Sequence, residues 1–395
     1  MQKTIYRRDG AREGPACRLV AVGDIMLSGE VARRYPAGAG ADRIFRDVAG
    51  GFGSADIVFG NLETPLCDPP EPGLFRGDPA LAPLLAGAGF TILSLANNHV
   101  LEYGPEGLRQ CADLIEACGI RVLGAGPDQE AARRPVILET RGLRVGFLGF
   151  GRTLQDQKDP RVPGFAEWDE ELALRSIAAL RSRVDCVVVS VHIGFMWIDY
   201  PSPVFKTAAD RLLEAGAHVV LMHHAHVLQG YLAEDGRLAV YNLGNFIADI
   251  REGETGVVPV PDRQRESAIF LIDLDRRGVA EVAIVPIVMT DDLRVTFADE
   301  DRARRIASRV ERIAAEVRSG TYLNAFARQR AELNTENTLV CLLLHVKKGN
   351  WRELMKNLLK IRLEHVAMLG RFAWSRMSAW KKRGGEPGAD LRPSG

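Results

Sequence analysis

Three of the chain's eight histidines, His223, His224 and His226, fall within four residues at the end of the apolar run Val219-Val220-Leu221-Met222. Imidazoles gathered where a buried strand stops are suited to hold a metal ion. Taken alone, the cluster also fits a polar turn with incidental histidines. Four other apolar runs, however, end on polar residues of the same chemical kind. Asp24 follows the run 19–22, Asn61 and Glu63 follow 57–59, Asn97, Asn98 and His99 follow 92–96, and His192 follows 187–191. Each alone has an ordinary explanation. Asp24 suits a helix cap or turn, Asn98 a turn, and His192 a hydrogen-bonded core histidine. Their joint occurrence carries the argument, because ligands bind at the carboxyl ends of strands in open α/β sheets. Carboxylates and imidazoles with carboxamides, and no thiolate, suit manganese, iron or zinc. One or two divalent ions are expected. Two ions about 3.5–4 Å apart clamp an in-line displacement, and a histidine outside the ligand set protonates a leaving group.

The elements that must position these residues are legible as alternating patterns. Buried-strand runs occur at 18–23, 56–60, 90–95, 144–150, 185–191, 218–222, 238–243, 268–274 and 282–288. Helical patterns occur at 79–88, 105–118, 169–182 and 203–215, with Pro105 and Pro203 in first-turn positions and Gly119 and Gly216 at the ends. The alternation predicts an α/β fold around a central sheet. The last runs have no helices between them, so part of the sheet is expected to be antiparallel or mixed. His218 starts its strand and is left out of the site.

Composition narrows the class further. Lys and Arg balance Asp and Glu at 51 each in 395 residues, so no global field points to nucleic acid. The six cysteines form no CxxC and several lie in apolar runs, as buried reduced thiols do. Residues 1–15 read as a polar N-terminal arm without a signal-peptide core. No run approaches the roughly 18 apolar residues of a membrane span, so a cytoplasmic location is expected.

The segment 299–383 reads as a helical, basic extension, followed by a Gly- and Pro-rich tail, 384–395, expected to be disordered. Twelve Lys and Arg face four Asp and Glu over 341–395, a net of +8, and three of the five tryptophans lie there. Lys347, Lys348, Lys356, Lys360 and Arg362, interleaved with Trp351, Leu354, Leu358, Leu359 and Ile361, fit a helix resting on the anionic inner face of a membrane. They fit better a helix packed on the domain with its charges in water. No nucleic-acid recognition motif accompanies the charge.

The same clusters resemble the poly-γ-glutamate capsule-biosynthesis (CapA-like) family, a branch of the calcineurin-like metallophosphoesterases, over residues 16–290. The carriers are Ala21-Val22-Gly23-Asp24, Asn61-Leu62-Glu63-Thr64-Pro65-Leu66, Ser94-Leu95-Ala96-Asn97-Asn98-His99, Val191-His192-Ile193-Gly194, His224-Ala225-His226 and Leu243-Gly244-Asn245-Phe246. The resemblance implies a four-layer αββα sandwich over residues 16–298 and a metal-dependent hydrolase. Its substrate would be a small or polymeric anion, a phosphoester or an amide-linked polymer of the cell envelope. It implies metal ligands at Asp24, Glu63 (bridging), Asn98, His192, His224 and His226, with His99 as the acid. Asn61, Asn97, His223 and Asn245 would line the pocket or support the ligands. Met26 stands where the superfamily's Asp-x-His motif has histidine, and Ile193 and Met196 stand where Trp and Glu are usual. These departures motivate a second reading: a non-catalytic capsule or envelope assembly factor that retains the fold.

Overall fold

The computed structural model describes residues 1–11, 17–36, 40–68, 75–152, 161–248 and 262–347, the last thirteen of them as backbone. Two compact units divide the chain: Met1–Arg251 with Val260–Phe326, and Glu252–Pro259 with Ala327–Gly395. In the second unit the described part continues the helix Tyr322–Lys347. The Trp-containing basic segment from Lys348 onward and the tail 384–395 lie outside the described residues.

The first unit carries two large sheets rather than one central sheet, beside a two-stranded pair of Ala125–Gly126 and Gly164–Phe165. In the larger, the order is Lys3–Arg7, Gly278–Met289, Glu266–Asp275, Cys17–Ile25, Ile57–Leu62, Ile92–Ser94 and Arg121–Leu123, with Asn245–Ile247 and Val295–Phe297 paired at its side. The last four of the ordered strands run parallel, and Glu266–Asp275 with Gly278–Met289 forms an antiparallel hairpin beside them. In the smaller sheet the order is Tyr231–Glu234, Arg237–Val240, Val219–His223, Cys186–His192, Leu143–Gly151 and Val136–Thr140. Its four central strands are parallel and its two edges antiparallel.

The strands' own alternation stacks the sheets. Leu19, Ala21, Ile57 and Phe59 of one sheet share a dry core with Val145, Phe147, Val188, Val219 and Leu221 of the other. The alternate residues Val20, Val22, Val58 and Leu93 turn to a separate core shared with Leu85, Leu108, Cys111 and Ile115 of the helices Ala82–Gly87 and Gly104–Ala117. On the far side of the smaller sheet lie Glu170–Arg181 and Pro203–Glu214, whose buried faces are Ala173, Ile177 and Leu180, and Ala208, Ala209, Leu212 and Leu213. Period-2 strands between period-3.6 helices thus give four layers, α, β, β and α.

Local chemistry sets the helix limits. Asp169 accepts from the Leu172 amide at 2.9 Å, capping Glu170–Arg181. Asp299 does the same for Glu300–Ser319 through the Arg302 amide at 2.8 Å, and Gly320, at φ +76°, ends that helix. The boundary read at residue 298 falls just before this helix. Its Ala303, Ile306, Ala307, Val310 and Ala314 enter the inter-sheet core. Within the segment read as a polar arm, Lys3–Arg7 is an edge strand on Gly278–Met289. Ile5 and Tyr6 pack on the inter-sheet core, so two apolar side chains suffice to recruit a polar stretch into a sheet.

Candidate metal centre

Strand parity delivers the site residues to the gap between the sheets. Ile57 and Phe59 face the inter-sheet core, so Asn61 and Glu63 continue on that face. Cys186 and Val188 place His192 there, and Val219 and Leu221 place His223 there. Asp24 has the wrong parity relative to Leu19 and Ala21. The irregularity between Ala21 and Asp24 in the pairing with Ile57–Leu62 adds the residue that corrects it. Gly23 makes the bend feasible: a Cβ on it would lie 1.9 Å from the Gly244 carbonyl oxygen. Register then aligns Asn245, Asp24 and Asn61 across one sheet, and Gly151, His192 and His223 across the other.

His224 and His226 reach the site differently. Both have left-handed backbones, φ +89° and +55°, in a turn that leaves the strand at His223. Such conformations are strained in a residue with a Cβ, and strain of this kind collects at functional sites. His224→Gly is therefore expected to leave the metal-free protein about 1 kcal/mol more stable than His224→Ala, since both delete the ring and only the backbone cost differs. Urea unfolding of the two variants measures this, and equal stabilities would remove backbone strain from the account.

The assembled centre is dense and mostly sealed. The Glu63 carboxylate is fully buried, and neither of its oxygens has a hydrogen-bond partner among the described residues. Around its Oε1 stand His192 Nε2 at 3.4 Å, His99 Nε2 at 3.7 Å and His226 Nε2 at 3.8 Å. Ligand atoms of Glu63, His192 and His224 lie within 4.8 Å of one another, as do those of Asp24, Glu63 and His226. Two triads thus share one carboxylate. A buried, unbonded carboxylate is costly unless a cation meets it. The donor set of carboxylate and imidazole fits a divalent transition ion in each triad.

Supporting residues fix each ligand's orientation. Asn61 Nδ2 donates to Asp24 Oδ1 at 2.9 Å and lies 3.2 Å from His192 Nδ1, on the ring edge opposite Nε2. Asn98 Oδ1 is 2.6 Å from that Nε2, and His224 Nδ1 is 3.2 Å from it. Asn245 Oδ1 holds His226 Nδ1 at 2.9 Å, and its amide donates to the His226 and Gln264 carbonyls. Asn97 ties the site together: its amide donates to the Leu62 carbonyl at 2.8 Å and its Oδ1 accepts from the His99 amide at 3.1 Å. His223, fully buried, holds Asp24 Oδ1 through Nδ1 at 3.0 Å. Such partners set the tautomer and aim of a ligand. Met26 is buried, and its amide donates to the Ile247 carbonyl at 2.8 Å.

Charge is polarised across the centre. Burial drives His224 down to about 3, helped by its neighbours His192 and His226, so its ring is neutral and free to bind a metal. Burial also disfavours a charge on His226, yet Glu63, Asp24 and the Asn245 hydrogen bond together outweigh it and raise that ring's pKa. Glu63 and Asp24 resist burial and each is held below its ordinary value. The imidazoles of His226, His192 and His99 do this for Glu63, and those of His223 and His192 for Asp24. A depressed folded-state pKa contributes stability above the unfolded value, and that stability is lost as pH falls. The metal-free protein is therefore expected to lose stability steadily once pH drops below the ordinary carboxylate range. Glu63→Gln should flatten that acid limb in chemical unfolding measured from pH 7 downward, and an unchanged slope would contradict the charge assignment.

The candidate ligand and supporting residues singled out in the sequence therefore meet at one place, with His99 at the rim. Three contributors lie outside the candidate site residues read from the sequence, although Gly244 falls within the motif Leu243-Gly244-Asn245-Phe246. Phe75 stacks on His99 with ring centroids 4.0 Å apart. Gly151 packs so that a Cβ would meet the Ala96 carbonyl oxygen at 2.2 Å, and Gly244, at φ +71°, receives the Asp24 amide at 2.9 Å. A periodicity argument finds none of them, because their partners are distant in sequence.

Comparison with known proteins gives a consistent set of relatives. Residues 18–250 match the family model described as "Bacterial capsule synthesis protein PGA_cap". The chain is 29% identical over 293 residues to a capsule biosynthesis protein CapA of Bacillus anthracis, covering 70% of this chain and 68% of that one. It is 28% identical over 279 residues to a PGA biosynthesis protein CapA of Bacillus subtilis (strain 168), covering 67% and 70%. Among solved structures, a hypothetical protein from Thermus thermophilus is similar with a TM-score of 0.44 at 18% identity, over 68% of this chain and 98% of that one.

Proposed function

This chain belongs to the bacterial capsule synthesis protein PGA_cap family, and from that premise we propose that it is a metal-dependent hydrolase of envelope-polymer biosynthesis. Its substrate class is a phosphoester or an amide-linked anionic polymer such as poly-γ-glutamate. The observation that carries this reading is the buried, unbonded Glu63 carboxylate shared by two triads of metal-ligand type. Asp24, Glu63, Asn98, His192, His224 and His226 would hold one or two divalent ions, manganese, iron or zinc. When bound, such ions supply Lewis-acid polarisation of a phosphoryl or carbonyl oxygen.

The chain's own groups do the rest. His99 stands beside the ligand set with side-chain exposure of 12%, and Glu102 Oε1 lies 2.9 Å from its Nδ1. Nδ1 donates to that carboxylate, and in the imidazolium form of the ring Nε2 carries the proton that passes to the leaving group. Asn97 holds the His99 backbone, and Asn61 and Asn245 hold the imidazoles of His192 and His226. Metal analysis of protein purified without chelators tests the reading. Less than about a tenth of an equivalent of transition metal, before or after reloading, removes it. A screen of phosphomonoesters, phosphodiesters and γ-glutamyl polymers with each metal then assigns the substrate.

The second reading, a non-catalytic assembly factor, draws on Met26 and the exposed Met196 in place of polar groups expected near the centre. Full complementation of cells by both His99→Ala and Asp24→Asn would favour it. We also propose a cytoplasmic location with peripheral contact at the anionic inner membrane face. Among the described residues no helix is long and apolar enough to cross a membrane, and the segment 341–395 carries a net +8. Salt-sensitive cosedimentation with anionic vesicles is expected, and a chain ending near residue 340 should lose it. Equal cosedimentation of the shortened chain would end this part of the proposal.

A further inference from the structure

His99 is covered on more sides than a rim residue needs to be. Its backbone amide is held by Asn97 Oδ1, its Nδ1 by Glu102 Oε1, and one ring face by Phe75, whose plane is tilted 34° from its own. Only Nε2 points toward Glu63, 3.7 Å from its Oε1. Phe75 is itself fixed by its sequence neighbours. Arg76 Nε donates to the Cys67 carbonyl at 2.9 Å, and its guanidinium also pairs with Asp68. The Gly77 amide donates to the Pro65 carbonyl at 3.0 Å. Gly77 lies so close to the Glu63 segment that a Cβ on it would meet Leu66 Cδ2 at 2.4 Å and Thr64 Cγ2 at 2.9 Å. The aromatic ring is thereby tied to the same stretch of chain that supplies the shared carboxylate.

We propose that Phe75 is a positioning residue for His99: its ring and the Glu102 carboxylate together hold the imidazole so that Nε2 alone addresses the leaving group. This rests on the hydrolase reading. In that reaction the scissile P–O or C–N bond breaks with its electron pair on the leaving atom. The Nε2 proton passes to that atom, a water oxygen forms the new bond, and the proton released from the water restores the ring through solvent. Phe75 touches neither substrate nor metal ligand in this account. It removes the freedom of an imidazole that would otherwise tilt about its χ angles, and a misplacement of about 1 Å costs on the order of a hundredfold in rate.

The test compares leaving groups, because a proton donor matters most where the leaving group is poor. Full-length Phe75→Ala and Phe75→Leu, loaded with metal, are assayed on an alkyl phosphodiester and on its nitrophenyl analogue. On the alkyl ester kcat is expected to fall by about tenfold to a hundredfold with KM little changed. On the nitrophenyl ester the loss should be within about threefold, and Phe75→Tyr should restore the alkyl rate. A second arm needs no turnover: the ring resonances of His99 in the metal-free protein should shift in Phe75→Ala as the stacked aromatic is lost. Equal losses on both esters, or His99 resonances that stay in place, overturn the proposal. If the wild-type protein hydrolyses neither ester with any metal, the hydrolase reading falls by itself. The resonance arm then decides whether Phe75 positions His99.

Discussion

Glu63→Ala is expected to abolish metal binding at both triads, whereas Asp24→Asn or His224→Ala should each weaken only one. The asymmetry follows from sharing. Glu63 is the single residue common to the two ligand groups, Glu63 with His192 and His224, and Asp24 with Glu63 and His226. Its oxygens are committed to no hydrogen bond among the described residues, so nothing else in the fold depends on the carboxylate as an acceptor. Losing even a residue that merely supports a metal ligand typically costs 10–100-fold in affinity, and losing a shared ligand should cost at least about a hundredfold at each position. The measurement is metal stoichiometry and competition with a coloured chelator for the wild type and the three variants. Should Glu63→Ala keep one tightly bound equivalent, the carboxylate does not bridge, and the two triads are alternatives for a single ion.

Gly151→Ala should be nearly as damaging, although Gly151 offers no functional group. It ends the strand Leu143–Gly151 at the point where the smaller sheet meets the loop that carries Asn97, Asn98 and His99. A methyl group there would sit 2.2 Å from the Ala96 carbonyl oxygen, 2.4 Å from its carbon and 2.8 Å from the Asn97 nitrogen. All three are backbone atoms, which cannot swing aside as a side-chain tip can. The loop must move, carrying Asn98 away from His192 and His99 away from Glu63. Overpacking of this kind costs about 1–3 kcal/mol in stability, and a shift of about 1 Å at the reacting groups costs on the order of a hundredfold in rate. Thermal unfolding and metal-loaded activity read the two effects separately. Wild-type metal affinity and activity in this variant would show that the loop tolerates displacement and that the close approach of the sheets is incidental.

The two substitutions mark what was legible in the sequence. Asp24, Glu63, Asn98, His192, His224 and His226 stand at the ends of apolar runs, and a run of alternating or continuous apolar residues is a local signal. The chemistry was therefore readable: which residue types gather, that they suit a divalent ion, and that thiolates take no part. The strand and helix assignments were readable for the same reason, because hydrophobic periodicity is set by the few residues on either side. His224 and His226 were readable as ligand types, but their left-handed backbones were not, since a side chain's identity says little about φ.

What only the tertiary structure decided is which sheet each strand joined and what lies across the gap. The patterns suited one central sheet, yet of the five apolar runs that end on candidate site residues three lie in the larger sheet and two in the smaller. A strand with two apolar faces can pack against helices on both sides or against a helix and a second sheet, and its sequence is the same in either case. Stacking the sheets turned His223 inward onto Asp24 and set Gly151 against Ala96, and the segments that follow two neighbouring strands of the larger sheet laid Phe75 on His99. Each of these contacts joins residues distant in sequence, and its existence depends on the sum of core burial across the whole sandwich. The sequence by itself determined the candidate ligands and the chemistry they suit. The packing of two sheets determined that they share one carboxylate, because that sharing is a distance, and a distance between remote residues exists only once the core has closed.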